Sequence, residues 1–154
     1  MEKQSLEPVA IRIASTGDLK AIYRIEQSAV QSPWSRSAIV ETLESDCAVN
    51  LVAVGENGDI RGYLLGAIVA DELSIHYLVT HPQYRRRGIG RELIEAAAKK
   101  ARDLGARIAY LEVRLKNEAA QALYRACGFI VRAERKKYYA DDGDSALLMA
   151  MRLE

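Results

Sequence analysis

A strand, a glycine-containing turn and a helix follow one another directly in the middle of this chain. A strand is predicted at Leu73–Thr80, which is apolar and contains β-branched residues, and the stretch HPQYRRRGIGRELIEAAAKK follows at His81–Lys100. Apolar residues then recur with helical spacing, which predicts a helix from about Ile89 to Leu104, and a further strand is predicted at Arg107–Arg114. Because a strand–helix–strand crossover joins parallel strands, this segment requires a partly parallel sheet.

The other connections between strands include tight turns, which predict antiparallel pairs. Residues 55–59 and Asp71-Glu72 are predicted to form such turns. Further strands are predicted at Val9–Ala14, Ala48–Val54, Ile60–Ala70, Phe129–Ala133 and Ser145–Leu153, and further helices after Thr16 or Asp18, after Ser35 and after Asn117. The order of elements predicts one α/β domain, residues 9–154, in which a mixed central sheet of about six or seven strands is flanked by about four helices. Residues 1–8 are predicted to be a flexible tail.

Composition narrows the function classes. A chain of 154 residues can bury a core that needs neither a disulfide nor a metal, and a net charge of +1 gives no overall attraction to nucleic acid. Cys47 and Cys127 belong to no metal-binding motif, which predicts reduced thiols. The N-terminal sequence lacks the apolar stretch of a signal peptide, and Tyr63–Ala70 is too short to cross a bilayer. We therefore expect a cytoplasmic protein that uses no metal and binds neither membranes nor nucleic acid directly.

The turn before the central helix concentrates positive charge. Its sequence is Arg-x-x-Gly-x-Gly from Arg85 to Gly90, with Arg91 following. The first turn of a helix has unpaired backbone N–H groups and a partial positive charge, and glycines let an anion approach them closely. The P-loop motif is absent, and the dinucleotide motif would need a third glycine where Leu93 stands. A phosphate site and a solvated basic turn both remain open on this evidence.

The Arg85–Gly90 motif, placed after a strand that ends in a His-Pro turn, resembles the acetyl-CoA pyrophosphate signature of the GNAT N-acetyltransferases. The resemblance extends over nearly the whole chain, through the order of elements and the later Asn117, Tyr124 and Gly128-Phe129 pattern. It implies the GNAT fold and acetyl-CoA as co-substrate. It also implies two sets of cofactor-binding residues: a main-chain edge for the pantetheine arm at Leu78, Val79 and Thr80, and a pyrophosphate loop at Arg85, Arg86, Arg87, Gly88, Ile89, Gly90 and Arg91.

Two residues have the chemistry that acetyl transfer to an amine requires. Glu112 shares one face of its strand with Ile108 and Tyr110, which we predict to be buried, so a carboxylate on that face indicates a specific role. The alternative is a solvent-exposed carboxylate or a pair with Arg114. Tyr124 lies on the helix that Asn117 caps, and it is either a core tyrosine or a proton donor to a thiolate. Reference pKa values of about 10 for tyrosine and about 8.5 for a thiol make that proton transfer unfavourable by about two pKa units.

The pattern LEVR…N…Y…GF is similar to the RimI-like subgroup of GNAT enzymes, which acetylate protein N-termini. That resemblance implies Glu112 as general base acting through water, Tyr124 as general acid, and Asn117 and Tyr124 as cofactor contacts. It further implies a substrate side formed by Pro33-Trp34-Ser35 and by the tyrosine pair Tyr138-Tyr139. The expected partner is the N-terminal peptide of a protein, with an alanine of a ribosomal protein as one candidate, and the expected state is a monomer or weak dimer.

One departure from the subgroup affects the acceptor. Tyr77 stands where the subgroup more often has a small or amide residue, so it is a further candidate for substrate contact and leaves a small-molecule amine or a lysine side chain open as acceptor. His76 is a weak substitute base, whereas His81 is interpreted as structural. The basic cluster Arg132, Arg135, Lys136 and Lys137 is interpreted as a solvated hairpin, with a cofactor-phosphate or acidic-partner role as alternatives. A CoA-binding module without activity is the third hypothesis.

Overall fold

The strands of this protein lie in one mixed sheet with the order β1-β2-β3-β4-β5-β7-β6, as seen in a computed structural model that describes residues 8–30 and 33–153. The strands in the described residues are β1 Ala10–Ile13, β2 Ala48–Val54, β3 Ile60–Val69, β4 Glu72–Thr80, β5 Ile108–Arg114, β6 Ile130–Arg135 and β7 Ala146–Arg152. The α-helices there are α1 Leu19–Ala29, α2 Arg36–Leu43, α3 Ile89–Asp103 and α4 Glu118–Cys127. The predicted α/β class and strand count are confirmed. The predicted tail lies, except for Pro8, outside the described residues.

The helices cover both faces of the sheet and define two separate apolar clusters. Successive side chains of a strand point to opposite faces of the sheet, and β3 shows this clearly. Leu64 packs into one cluster, while its neighbours Tyr63 and Leu65 pack into the other. Helices α3 and α4 cover the first face, and α1 and α2 cover the second. Leu104, the predicted last residue of α3, lies one residue beyond the end of this helix and is exposed.

Parallel pairing in the centre of the sheet is short. Strands β4 and β5 pair only from Glu72 opposite Ile108 to Ile75 opposite Leu111, although both strands continue beyond these positions. The interruption begins at a β-bulge in β4, where His76 is the extra residue between the pairs that β4 makes with β3. Gly66 lies opposite this bulge, and a Cβ atom there would be 2.6 Å from the Ser74 carbonyl oxygen. The bulge therefore needs a glycine on the neighbouring strand, and it leaves a gap between β4 and β5.

No helix within the described ranges is both long and apolar enough to pass through a bilayer.

The start of α1 differs from the predicted cap. Asp18 precedes the helix, but its carboxylate accepts two hydrogen bonds from Arg12, both at 2.8 Å, and one from the Ser15 backbone N–H at 2.8 Å. These bonds hold the pKa of Asp18 below its usual range, with Arg12 as the main cause. The residue thus joins β1 to the start of α1.

Candidate active site

A cavity of about 750 Å³ lies beside the gap between β4 and β5. Four segments form its walls: the α1–α2 connection, β4, β5 and the β6–β7 hairpin. The residues that line it are Val30, Trp34, Ser74, Ile75, His76, Tyr77, Tyr110, Leu111, Glu112, Arg114, Tyr138, Tyr139 and Leu148. Six side chains predicted at the acceptor side or as base therefore line the cavity, namely Trp34, His76, Tyr77, Glu112, Tyr138 and Tyr139. Pro33 and Ser35 are exposed and do not line it.

Glu112 is on the cavity side of β5. Ile108 and Tyr110, which share this face of β5, are only half-buried, so the prediction that the face is buried is wrong. The buried face of β5 is the opposite one, which packs against α3 and α4 in the first apolar cluster and consists of Ala109, Leu111 and Val113. The Glu112 side chain is 30% exposed, and Oε1 lies 3.6 Å from Arg135 Nη1. A carboxylate at a cavity wall with access to water can accept a proton from a bound amine.

Arg114 does not pair with Glu112, contrary to the alternative weighed from the sequence. Its guanidinium binds Asp141 through two hydrogen bonds of 2.8 and 3.2 Å and Asp142 through one of 3.0 Å. It also lies over the Tyr139 ring, 3.9 Å from the ring centroid. Arg114 and Glu112, two residues apart on the same strand face, therefore have different charge partners.

Tyr124 is buried in the cluster formed by α3, α4 and the sheet, where it is 8% exposed. Its ring meets Phe129 edge to face, with 6.1 Å between the centroids. Its hydroxyl makes no hydrogen bond to any residue in the described part of the chain. Burial raises the pKa of Tyr124 to about 12, so the hydroxyl keeps its proton at neutral pH and is a donor without an acceptor among the described residues.

The pyrophosphate loop predicted from the sequence lies at the start of α3. Gly88 precedes the helix with a φ of +81°, and it provides no side-chain cap, so the first backbone N–H groups of α3 are available to an anion. Arg86 also has a positive φ of 65°, which places it in a conformation that few side chains adopt. Arg91 binds Glu95 at 3.0 Å along the helix, whereas Arg85 and Arg86 are exposed. This arrangement of donors and charge fits a strongly anionic ligand.

A buried arginine, Arg61, contacts the turn that precedes the pyrophosphate loop. Arg61 is 5% exposed, donates to Asp59 at 3.1 Å and lies over the Tyr84 ring at 4.4 Å from its centroid. The Tyr84 hydroxyl donates to the same Asp59 carboxylate at 3.3 Å. Arg87 lies 5.4 Å from the Tyr84 centroid. The turn that leads into α3 is therefore tied to the β2–β3 hairpin.

The carboxyl end of β4, the first turn of α3 and helix α4 meet at Gly90. A Cβ atom at this position would be 2.9 Å from Leu123 and 3.9 Å from Leu78. The first turn of α3 therefore packs closely against Leu123 of α4 and lies beside Leu78 of β4. Asn117 caps α4, and its side-chain oxygen accepts from the Ala120 N–H at 3.1 Å. Helix α4 thus begins after Asn117 and places Leu123 against the first turn of α3.

Glu26 supports the cavity wall at Trp34, and it was not predicted from the sequence. It is 1% exposed and accepts hydrogen bonds from the Tyr63 hydroxyl at 2.7 Å and from the Trp34 backbone N–H at 2.8 Å. Trp34 in turn packs edge to face on Tyr77, with 3.9 Å between the centroids. Glu26 falls four residues after Ile22 on the apolar stripe of α1, and a carboxylate at that spacing was the available signal.

Replacing Tyr63 with phenylalanine should destabilise the protein by about 1–3 kcal/mol, because the buried Glu26 carboxylate then loses a donor. Burial and the bond to Glu26 raise the pKa of Tyr63, so its hydroxyl remains a donor throughout the neutral range. The measurement is the free energy of unfolding in urea. Tyr23→Phe is the matched control, since Tyr23 lies half-buried on α1 without a hydrogen bond from its hydroxyl to the described residues. Equal stability of the two variants would contradict the role given to Glu26.

Comparison with known proteins agrees with this geometry. The family model described as the acetyltransferase (GNAT) family matches residues 19–129. The chain belongs to the GNAT family. It is 33% identical over 138 residues to the [ribosomal protein bS18]-alanine N-acetyltransferase of Escherichia coli strain K12, a match that covers 88% of this chain and 92% of that protein. It is also 33% identical over 149 residues to the N-alpha-acetyltransferase RimI of Mycobacterium tuberculosis, covering 93% and 92% of the two chains.

The fold gives the same result. The crystal structure of the Escherichia coli ribosomal-protein-S18-alanine N-acetyltransferase superposes with a TM-score of 0.89 at 32% identity, and the match covers 96% of this chain and 95% of that one. The GNAT protein described here is therefore an acetyl-CoA-dependent N-acetyltransferase with the RimI-like character that its motifs predicted. The predicted GNAT fold and the co-substrate acetyl-CoA are confirmed.

Proposed function

We propose that this enzyme transfers the acetyl group of acetyl-CoA to the free α-amine of a protein N-terminus by direct attack of the amine. The observation that carries the proposal is the aromatic-walled cavity with Glu112 at its wall, next to the gap between β4 and β5. The alanine at the N-terminus of ribosomal protein bS18 is the proposed acceptor, because relatives of similar length and 33% identity are named for that substrate.

The chemistry of an α-amine suits a site with one carboxylate. An N-terminal amine has a pKa near 7.7–8.0, so roughly a quarter of it is neutral at pH 7.4, whereas a lysine amine near 10.4 is almost wholly protonated. Glu112 then has to accept only the proton that the amine nitrogen loses when it attacks. It can do so through a water molecule, because the Glu112 side chain is partly exposed. His76 also lines the cavity, and burial lowers its pKa, so it is neutral at physiological pH and stays a secondary candidate base.

The other residues have separate tasks. When bound, acetyl-CoA supplies the thioester carbonyl that the amine attacks. The backbone N–H groups at Gly88, Ile89 and Gly90 and the arginines of the loop hold the pyrophosphate, and the edge at Leu78–Thr80 pairs with the pantetheine arm. Tyr124 holds a proton for the departing sulfur. Trp34, Tyr77, Tyr138 and Tyr139 enclose the first residues of the acceptor.

The test is release of free CoA from acetyl-CoA with a set of acceptors. One peptide begins with a free alanine, a second has a blocked N-terminus and an internal lysine, and small amines are assayed in parallel. We expect release with the first peptide only, and acetylated bS18 peptide as the next product to identify by mass spectrometry. Release with small amines alone would contradict the proposal and make Tyr77 the first residue to change.

A further inference from the structure

Arg114 has a closer potential partner than the one it uses. Glu112 lies two residues away on the same strand face, a separation of about 7 Å along the strand that an arginine side chain can span. Arg114 instead binds Asp141 and Asp142, which are 27 and 28 residues further along the chain. At 20% side-chain exposure, its guanidinium is only partly screened by water. An unpaired guanidinium at this position would be attracted to the catalytic carboxylate.

Asp141 and Asp142 belong to a compact turn between β6 and β7, which we call the acidic turn (residues 141–144). The Asp141 carboxylate accepts from the Asp142 N–H at 2.9 Å, and the Asp142 carboxylate accepts from the Asp144 N–H at 2.9 Å. Asp144 is buried and accepts from the Lys116 N–H at 3.3 Å and the Ser145 N–H at 2.8 Å. The acidic turn is thus fixed to the β5–α4 connection independently of Arg114.

The same turn sets the place of a cavity-wall tyrosine. The Tyr139 N–H donates to the Asp144 carbonyl at 3.0 Å, and the Gly143 N–H donates to the Tyr139 carbonyl at 2.9 Å. The Tyr139 ring is held against the Arg114 guanidinium and meets Tyr138 edge to face at 5.2 Å. A guanidinium that is anchored by carboxylates on one side can hold an aromatic ring on the other.

We propose that Arg114 is a positioning residue whose charge Asp141 and Asp142 hold away from Glu112. Among the described residues, the base then has only its 3.6 Å contact with the more exposed Arg135 and stays available, while Tyr139 is fixed on the acceptor wall. This inference rests on the proposed role of Glu112. The contact of Arg114 with Asp141 and Asp142 therefore has two separate effects. Turnover depends on where the Arg114 charge lies, whereas acceptor binding depends on the order of Tyr139.

The experiment compares three forms of the full-length enzyme: wild type, D141N/D142N, and D141N/D142N with Arg114→Gln. In the double variant we expect kcat to fall about tenfold and the acceptor KM to rise, with the KM for acetyl-CoA unchanged, because the freed guanidinium pairs with Glu112. Adding Arg114→Gln removes that guanidinium. It should restore kcat to within about threefold of wild type while the acceptor KM stays high, since Tyr139 remains unsupported.

Controls distinguish the pairing of Arg114 with Glu112 from a general loss of structure and from the loss of negative charge alone. The variant D71N/D103N removes two exposed carboxylates away from the cavity and should leave all three parameters unchanged. If D141N/D142N does not fold, Asp142→Asn alone, which leaves the two Asp141 bonds in place, should show smaller changes in the same directions. Unchanged kcat in the aspartate variants would overturn the inference, as would a triple variant no faster than the double. The assays use whichever amine the wild-type enzyme acetylates, so failure of the N-terminal substrate assignment does not affect this test.

Discussion

Glu112→Gln should lower kcat by about 10²–10⁴-fold, the range expected when a general base is removed. The amide has the size of the carboxylate but cannot accept the amine proton at neutral pH. Because Glu112 lies on the cavity side of β5 and not at the start of α3, the KM for acetyl-CoA should stay within about twofold of wild type. The measurement is steady-state CoA release with an α-amine peptide.

The matched control for this variant is Glu134→Gln, which changes an exposed carboxylate on β6. It should turn over at the wild-type rate. If Glu112→Gln also retained full turnover, the general base would have to be another group, and His76 at the bulge of β4 would be the next residue to replace.

Tyr124→Phe should lower kcat by about 10²–10³-fold, since the departing sulfur then loses its proton donor. With a pKa of about 12, Tyr124 would give its proton to a thiolate of ordinary pKa near 8.5 at a cost of roughly 5 kcal/mol. That cost is larger than the reference values for free tyrosine predict. It is still well below the barrier of about 17 kcal/mol that corresponds to one turnover per second, so the transfer is compatible with catalysis.

The pH dependence of Tyr124 has a definite sign. Its folded pKa is raised above the value of about 10 in an unfolded chain, so the protonated residue adds stability that is fully present below pH 10 and lost as pH rises through about 12. Between pH 7 and 10, kcat should therefore show no decline caused by loss of the Tyr124 proton.

Tyr23→Phe serves as the control for the Tyr124→Phe substitution. Wild-type turnover in Tyr124→Phe would reassign Tyr124 to core packing.

The parts of the fold that local spacing determines could be predicted. Helix α3 and the parallel strands on either side of it follow from helical periodicity and the glycine that ends the helix, and Asn117 was correctly expected to cap α4. The gap between β4 and β5 could not be predicted, because it depends on a bulge at His76 and its fit against Gly66, a contact between two strands. Alternation along β5 identified which residues share a face with Glu112, but not which face of β5 would pack against α3 and α4.

Charge partners were less predictable than positions. The sequence placed Arg114 beside Glu112, and only the folded β6–β7 hairpin brings Asp141 and Asp142 to it. Glu26 was missed for a related reason, since its donors Tyr63 and the Trp34 N–H come from other elements. Side chains that pair over long sequence separations leave no periodic signal in a single sequence.

The interrupted pairing in the middle of the sheet has a thermodynamic consequence. Past Ile75, β4 presents main-chain donors and acceptors that no neighbouring strand of the described residues satisfies on the β5 side. On the proposed binding mode, the pantetheine arm takes the place of the missing strand, in the way that a peptide adds to a sheet edge. Ligand that binds only the folded chain adds about 2.7 kcal/mol of stability at one hundred times its dissociation constant. The lifetime of this enzyme in a cell would then follow the supply of acetyl-CoA, with scarcity exposing it to unfolding and proteolysis.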